Sequence, residues 1–508
     1  MSVRQNVLIL HADQLRYDGI GCCGNPSGAT PHIDSLAADG VVFDRHIVSN
    51  PTCMPSRASL LTGLYPAGHN VWSTGVPLQR REYTRYCRDI GGDSMVVQPT
   101  TLADAFAASG YHTFSLGKLH LTPNIAPVEC GFPETVKAWE DGRFDNWHGP
   151  YYGFEHVEMT KGHGEQPCRH GHYANWLREK HPDVHASVMG NYKNLYAGER
   201  LDTSKPIPSQ LDLYPSPVPG ELHNSAWLAE RFEGHLAGRA DKSKPFLAFV
   251  GFPDPHHPFT PSFDVLEKFL DAEVKDPLDP DGEALPGAAM LRRAHSLKHL
   301  TVEQRKLIIR YTYAMIHQVD LAVGRILRTL KEMNLWDDTI IVFTSDHGDF
   351  LGDHQALYKG YFGSDALLRV PFVIRVPGRN GGQRKAEPMS NCDVMPTLAS
   401  LTGVKLPDPC HGRDIFAGGD EGEKLAFAYA ADGDPKNFNL TVYDDRHRLT
   451  WYPCGGFVEL YDHKKDPAEI RNVADEKGKS RIRAHLIGAI KDWHVRTSNP
   501  ILSKFGLW

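Results

Sequence analysis

The chain has 508 residues, and its 55 Lys and Arg side chains against 62 Asp and Glu give a formal net charge of −7 at pH 7. This mild acidity argues against nucleic acid as a partner, because binding to a phosphate backbone needs clustered positive charge. Hydrophobic residues make up 41% of the chain. That fraction excludes a disordered or collagen-like protein and predicts a globular one with large cores.

The N-terminus carries only a short apolar run, residues 7–10, before polar residues begin. A signal peptide needs an apolar region of about 7–15 residues, and a membrane-spanning helix needs about 18. The nine cysteines are odd in number and too sparse for a disulfide scaffold. We therefore expect a reduced, cytoplasmic protein without a membrane partner.

Three continuous apolar runs, residues 7–10, 245–250 and 340–343, predict buried strands, and each is followed by polar residues. Residues 101–109, between the first and second of these runs, and residues 301–333, between the second and third, predict helices. Continuous apolar strands that alternate with helices are typical of a parallel sheet covered on both faces. Because open α/β sheets bind their ligands at the carboxyl ends of the strands, we predict one α/β domain with one site at that edge.

Two other stretches differ from this pattern. Residues 121–240 are rich in aromatic side chains and histidines among Gly and Pro, and they predict either an insertion over the strand ends, forming a lid or substrate pocket, or a surface excursion with its own small core. After residue 418 the chain changes to short alternating strands at 440–443 and 448–451, with a helix around 481–493. We therefore predict a catalytic domain over 1–418 and a small C-terminal subdomain with an antiparallel sheet over 419–508.

The most specific motif is the run from Cys53 to Arg57, Cys-Met-Pro-Ser-Arg. Pro55 suits the first turn of a helix, so Cys53 is predicted at the N-terminus of a helix, where amide dipoles favour an anion. Arg57, one turn later, can point the same way. The motif alone is compatible with a thiolate nucleophile and with a buried, inert cysteine.

This run resembles the Cys-x-Pro-Ser-Arg motif of the type I sulfatases, in which an activating enzyme oxidises the cysteine to formylglycine. Further motifs that resemble the family occur in order at residues 13–14, 117–120, 255–259, 345–348 and 358–360, and residues 459–472 resemble its C-terminal subdomain. The resemblance implies an alkaline-phosphatase-like α/β fold, with a mostly parallel central sheet between helices and a small C-terminal α+β subdomain. It also implies hydrolysis of sulfate esters.

The resemblance further implies two cofactors. Hydrated formylglycine at position 53 carries two hydroxyls, one to attack sulfur and one to expel sulfate by restoring the aldehyde. One divalent ion would be bound by residue 53 together with Asp13, Gln14, Asp346 and His347. Many sulfatases have an aspartate in place of Gln14 and an asparagine in place of His347. The oxygen ligands suit Ca²⁺, and the imidazole leaves Mn²⁺ as an alternative.

Four cationic or imidazole side chains match family positions that hold the sulfate oxygens and protonate the leaving alcohol; they are Lys118, His120, His256 and Lys359. Lysines act as point charges on the spread negative charge of the transition state. His256 is the predicted general acid, since a histidine with a near-neutral pKa can donate a proton. Arg57 would hold the formylglycine alkoxide.

Two other functions are compatible with the sequence. Phosphonate monoester and phosphodiester hydrolases of the same superfamily resemble this chain at residues 13–14, 75–78 and 346–347, but they lack the pair formed by Lys118 and His120. A protein of another class would keep Cys53 unmodified and only bind a metal or an anion.

The expected partners are a small-molecule sulfate ester and, during maturation, a formylglycine-generating enzyme. The apolar end at residues 505–508, together with the family resemblance, predicts a homo-oligomer, either a dimer or a tetramer. No nucleic acid and no membrane are expected among the partners.

Overall fold

The structure is a computed structural model that describes residues 4–80, 98–196, 213–278, 300–418 and 422–498. Its strands are β1 Asn6–Ala12, β2 Val41–Ile47, β3 His112–Gly117, β4 His156–Glu158, β5 Phe246–Gly251, β6 Thr339–Ser345, β7 Arg369–Val370, β8 Phe372–Arg375, β9 Gln383–Ser390, β10 Ala426–Ala430, β11 Asn439–Tyr443, β12 His447–Tyr452 and β13 Phe457–Asp462. Its α-helices are α1 Pro31–Ala38, α2 Cys53–Thr62, α3 Pro66–His69, α4 Leu102–Ala108, α5 Val136–Glu140, α6 His172–Lys180, α7 Pro182–Tyr196, α8 Asn224–Gly238, α9 Phe263–Leu266, α10 Val302–Glu332, α11 Asp365–Leu368, α12 Val394–Thr402 and α13 Ser480–Thr497.

Among the described residues, nine strands form a large, mostly parallel sheet in the order β4-β3-β5-β1-β6-β8-β2-β7, with β9 beside β2. The three strands predicted from apolar runs lie together at its centre, where Val7 pairs with Leu247 on one side and Ile340 on the other, both in parallel. Strands β7 and β8 run antiparallel to their neighbours. The predicted fold class is confirmed.

Helices cover both faces of this sheet, and alternate residues of β1 therefore enter different cores. Leu8 and Leu10 pack in the core that contains the apolar face of α10, whereas Val7 and Ile9 pack in the core that contains α2, α4 and α12. Every residue of β1, β5 and β6 is buried, which explains why these strands are continuous apolar runs.

Helix α10 begins where the sequence predicts, because Thr301 caps it. The Thr301 side chain accepts a hydrogen bond from the Gln304 backbone, and the Gln304 side chain accepts one from Thr301 N. Thr101 and Asp104 form the same reciprocal cap at the start of α4. Such caps satisfy backbone donors that the first turn of a helix leaves unpaired.

The small second sheet is antiparallel in the order β10-β11-β12-β13, as predicted. Helix α13 packs on it through Leu486, Ile490 and Trp493, and the Trp493 ring stacks on Phe427 with ring centroids 4.6 Å apart. The sheet also joins the main body, since Tyr429 N donates to Ser49 O at 2.8 Å. Residues 505–508, the basis of the predicted oligomer contact, lie outside the described residues.

The described parts of residues 121–240 are joined to the main sheet. Strand β4 extends its edge by pairing with β3. Tyr151 and Tyr152 are buried in one main core, whereas Tyr173 and Trp227 are buried in the other. Within the described segments, no helix combines the length and the apolar composition that crossing a membrane requires.

Candidate active site

Polar side chains gather at the carboxyl ends of four neighbouring strands. Asp13 directly follows β1, Asp346 directly follows β6, Lys118 directly follows β3, and His256 lies on the loop after β5. These strands are parallel and adjacent in the order β3-β5-β1-β6, so their ends meet at one edge of the sheet. All four side chains are buried.

Helix α2 adds the two ends of the Cys-x-Pro-Ser-Arg motif to this edge. The helix begins at Cys53, and all of its residues are buried. Arg57 Nε donates to Asp346 Oδ2 at 2.8 Å and Arg57 Nη2 to Asp13 Oδ2 at 3.2 Å. Its Nη1 donates to Lys118 O at 2.9 Å. Arg57 therefore fixes two carboxylates and the end of β3, and its predicted contact with a formylglycine alkoxide stays a prediction.

An ammonium, an imidazole and a carboxylate surround the Cys53 sulfur. Lys359 Nζ lies 3.0 Å from Sγ, His347 Nε2 3.2 Å and Asp13 Oδ1 3.8 Å. Burial and the Asp13 carboxylate raise the pKa of the Cys53 thiol, but Lys359, Lys118 and His347 outweigh them, and the net effect lowers the pKa. The atom at position 53 is thus placed where negative charge is stabilised.

Four side chains at this position could hold a metal ion. Asp13, Cys53, Asp346 and His347 each offer one ligand atom, and all these atoms lie within 4.8 Å of one another. His347 Nδ1 contacts Gly348 O at 2.8 Å, so the N–H of that nitrogen points at the backbone and Nε2 is left facing the cluster. Two buried carboxylates beside an imidazole fit a divalent cation.

Both carboxylates of the cluster are ionised. Burial opposes their charge, but Lys118 and Arg57 hold the pKa of Asp13 well below its usual range. In the same way, burial and the Asp13 charge raise the pKa of Asp346, whereas His347 and Arg57 lower it, with a net decrease. The cluster therefore presents two negative charges to a cation.

Gln14 lies at the edge of the same cluster, in a left-handed backbone conformation with φ 65°. Its backbone N–H donates to Asp346 Oδ1 at 3.0 Å, and its side-chain Oε1 accepts from Lys359 Nζ at 3.2 Å. Its Nε2 contacts Asp349 Oδ2 and, at 3.0 Å, His257 Nδ1. His257 lies inside the 255–259 motif and Asp349 directly follows the 345–348 motif, but neither was predicted from the sequence to be a catalytic or metal-binding residue.

The opposite side of the cluster is built from lysines and imidazoles. Lys118 Nζ donates to Asp13 Oδ2 and contacts His163 Nε2, and the His163 ring stacks on His256 with ring centroids 3.5 Å apart and planes 9° apart. Lys359 Nζ lies 2.6 Å from His256 Nε2. Sequence analysis missed His163, because its only sequence signal is its place among several histidines of the 121–240 stretch.

The protonation of His256 differs from the expectation. Burial, followed by the neighbouring His163 and Lys359, holds the pKa of His256 well below its usual range, which contradicts the near-neutral pKa expected from the sequence. Its Nδ1 contacts the His257 carbonyl, which leaves Nε2 to accept from the Lys359 ammonium. The proton available at this position is therefore carried by Lys359.

His120 is buried on the loop after β3, in a left-handed conformation with φ 56°. The Glu134 carboxylate holds this loop, since it accepts from the backbone N–H of His120 and, at 2.7 Å each, from those of Leu121 and Thr122. Among the described residues, His120 Nδ1 is buried without a hydrogen-bond partner. This unpaired nitrogen, beside Lys118, is available to a ligand.

Comparison with known proteins gives a consistent result. The Sulfatase family model matches residues 5–404, and the model for N-sulphoglucosamine sulphohydrolase, C-terminal, matches residues 352–496. The multifunctional alkaline phosphatase superfamily protein PehA of Trinickia caryophylli is 29% identical, with 99% of this chain and 97% of the relative covered. An arylsulfatase of Clostridium perfringens is 27% identical, with 94% and 92% covered.

Solved structures share the architecture. The phosphonate monoester hydrolase of Agrobacterium radiobacter superposes with a TM-score of 0.72 at 25% identity, and the match covers 97% of this chain and 96% of that one.

Proposed function

This chain belongs to the sulfatase family, and on that basis we propose that it hydrolyses sulfate monoesters with a formylglycine made from Cys53 and one divalent metal ion. Membership of the family identifies the protein as a hydrolase of the sulfatase family, in preference to a protein that only binds a metal or an anion. The observation that carries the finer proposal is the position of Cys53 Sγ, within 3.8 Å of Asp13, His347 and Lys359.

The formylglycine, when hydrated, would supply one hydroxyl as the nucleophile and a second whose loss of a proton releases sulfate. The chain's own residues prepare this position. Lys359 Nζ, 3.0 Å from the side-chain atom of residue 53, stabilises negative charge on that atom. Arg57 keeps Asp13 and Asp346 aligned beside it. Cys53 is only 1% exposed in the folded protein, so a formylglycine-generating enzyme must act before the domain has folded around this residue.

The metal ion would be held by Asp13, Asp346 and His347 together with residue 53 and Gln14, and it would act as a Lewis acid on the sulfate oxygens and the nucleophile. The donor chemistry supports Ca²⁺, with Mn²⁺ as the alternative because of the imidazole.

The sulfate oxygens would lie against Lys118, Lys359 and His120. A bound anion would also raise the pKa of His256, because its negative charge would offset the Lys359 and Lys118 ammonium groups that lower that pKa. The leaving alcohol could then take a proton from the Lys359 and His256 pair, whose nitrogens are 2.6 Å apart. This arrangement supports the role of general acid for His256, exercised with Lys359.

A second candidate function is hydrolysis of phosphonate monoesters or phosphodiesters. It is favoured by the likeness over nearly the whole chain to the phosphonate monoester hydrolase of Agrobacterium radiobacter. Against it stand Lys118 and His120, which provide donors for a third non-bridging oxygen. A diester or phosphonate has a carbon or ester group in that place, and a buried donor left unpaired penalises binding.

Two measurements test the proposal. Mass spectrometry of the peptide that contains residue 53 should find formylglycine in active preparations, and a free thiol there in fully active enzyme would refute the mechanism. A panel of sulfate monoesters, phosphodiesters and phosphonate monoesters, assayed with metal-defined enzyme, should give the highest kcat/KM for a sulfate monoester. The opposite order would establish the second candidate.

The proposal also includes a cytoplasmic location and a homo-oligomeric state, either dimer or tetramer. The eight described cysteines are all free thiols, which supports a reducing compartment. Light scattering on the purified protein would test the oligomer, and a monomeric mass would contradict it.

A further inference from the structure

A second group of metal-ligating side chains lies at the edge of the large sheet, apart from the catalytic cluster. His148, His156 and Glu158 each offer one ligand atom, and these atoms all lie within 4.8 Å of one another. His156 and Glu158 stand two positions apart on the edge strand β4, so their side chains share one face of the sheet. None of the three takes part in the proposed reaction.

The contacts of His148 leave one of its ring nitrogens available to an ion, and His156 already faces the Glu158 carboxylate. His148 Nδ1 contacts Val157 O at 3.3 Å, which places its proton on Nδ1 and makes Nε2 the lone-pair donor. His156 Nε2 lies 3.3 Å from Glu158 Oε1. The His148 and His156 rings are stacked, with centroids 5.2 Å apart and planes 3° apart. Because His148 is exposed, it can turn Nε2 towards an ion without disturbing the core.

The surroundings hold these donors in place, as outer residues do in metal sites. Arg231 on α8 donates twice to the Glu158 carboxylate, at 2.7 and 2.8 Å. His172 stacks on His148 with ring centroids 4.5 Å apart. Both nitrogens of His172 are already engaged, with Met159 N and Trp147 O at 2.8 Å each, so His172 supports the site and does not coordinate.

We propose that His148, His156 and Glu158 form a second metal site that binds a transition ion such as Zn²⁺. Two imidazole nitrogens and one carboxylate oxygen are a donor set that Zn²⁺ takes in proteins, with water in the fourth position. Imidazole ligands also distinguish this site from the catalytic cluster, whose two carboxylates suit a harder ion. An ion here would join β4 to the preceding loop that carries His148, and it would stabilise this edge of the sheet against unfolding.

The test is a titration of the full chain with Zn²⁺ alone after chelator treatment, in the Asp346→Ala background that weakens the catalytic cluster. The Asp346→Ala protein should bind one equivalent of Zn²⁺ more than the double variants that also carry His148→Ala or His156→Ala. Zn²⁺ should raise the Tm only of the protein that keeps both histidines. In the otherwise unchanged chain, His148→Ala should lower the Zn²⁺ stoichiometry by one equivalent and leave sulfate-ester turnover unchanged.

The matched control is His485→Ala. His485 is exposed and lies 2.9 Å from Glu423 Oε2, but among the described residues no third ligating side chain completes a cluster there. This variant should keep the stoichiometry and the Tm response. Because His148 is exposed, its replacement should leave the circular dichroism spectrum intact. Equal Zn²⁺ stoichiometry and equal Kd in the unchanged chain, His148→Ala and His156→Ala would overturn the proposal, whatever the outcome for formylglycine.

Discussion

Replacing Arg57 by Met tests the electrostatic core of the active site most directly. The guanidinium and both of its carboxylate partners have no exposed side-chain surface. Removal of one partner from a buried ion pair costs about 3–5 kcal/mol, because it leaves an uncompensated buried charge. Lys118 still contacts Asp13, so the loss falls mainly on Asp346. Among the described residues, the remaining ion-pair partner of Asp346 is the His347 imidazole at 3.6 Å. We therefore expect Arg57→Met to lower the free energy of unfolding by about 3–5 kcal/mol at neutral pH.

The sign of the pH dependence follows from the carboxyl pKa. In the folded protein the pKa of Asp346 lies below its usual value. The ion pairing of Asp346 therefore stabilises the fold fully at pH values above the unfolded pKa of about 3.9. This stabilisation is lost as the pH falls through the lower pKa of the folded state. Without Arg57 the folded pKa rises, and the variant gains stability by taking up a proton as the pH falls. The difference between the two proteins must therefore shrink towards acid.

Urea unfolding followed by circular dichroism, in the presence of a chelator, measures this difference at neutral and at mildly acidic pH. Arg57→Lys is the control, since it keeps the charge but cannot bridge two carboxylates, and it should lose less than the Met variant. A loss below about 1 kcal/mol for Arg57→Met, the range of exposed ion pairs, or a loss that is equal at both pH values would refute the reasoning.

Four further changes address the chemistry. Cys53→Ser should react once and then stall, since a serine sulfate has no second hydroxyl to expel sulfate; steady turnover in a product-burst assay would contradict the formylglycine mechanism. Asp346→Ala should lose the catalytic metal and activity together while circular dichroism stays native, and full occupancy by metal analysis would place the ion elsewhere. Replacing Lys118 and His120 together by Thr should lower kcat/KM for sulfate monoesters far more than for phosphodiesters; equal losses would mean general anion binding. His256→Ala should lower kcat by about 10²-fold or more for alkyl sulfates and much less for aryl sulfates with acidic leaving groups, and equal losses would remove it as an acid.

Local sequence patterns were sufficient for the central elements. The apolar runs at 7–10, 245–250 and 340–343 became β1, β5 and β6, because a strand buried on both faces must be apolar throughout. The start of α2 at Cys53 followed from Pro55 two positions later, since proline is accepted in the first turn of a helix. These signals act over a few residues, and tertiary structure does not need to supply them.

The motifs also identified the family and the strand-end residues Asp13 and Asp346, whose spacing along the chain is more than 300 positions. The motifs could not identify the partners of these residues. Three contacts of the site depend on segments that meet only after the sheet has formed. Arg57 bridges both carboxylates, Asp349 contacts Gln14, and His163 stacks on His256.

Tertiary structure alone decided the strand order and the protonation of the site. Strand β8 runs antiparallel between β6 and β2, and no local pattern carries that pairing, because hydrogen bonds between strands join residues far apart in sequence. The pKa of His256 is low because burial removes water and places His163 and Lys359 beside it. The sequence specifies which ionisable side chains are present, but the charge state of each depends on the neighbours and the desolvation that folding imposes.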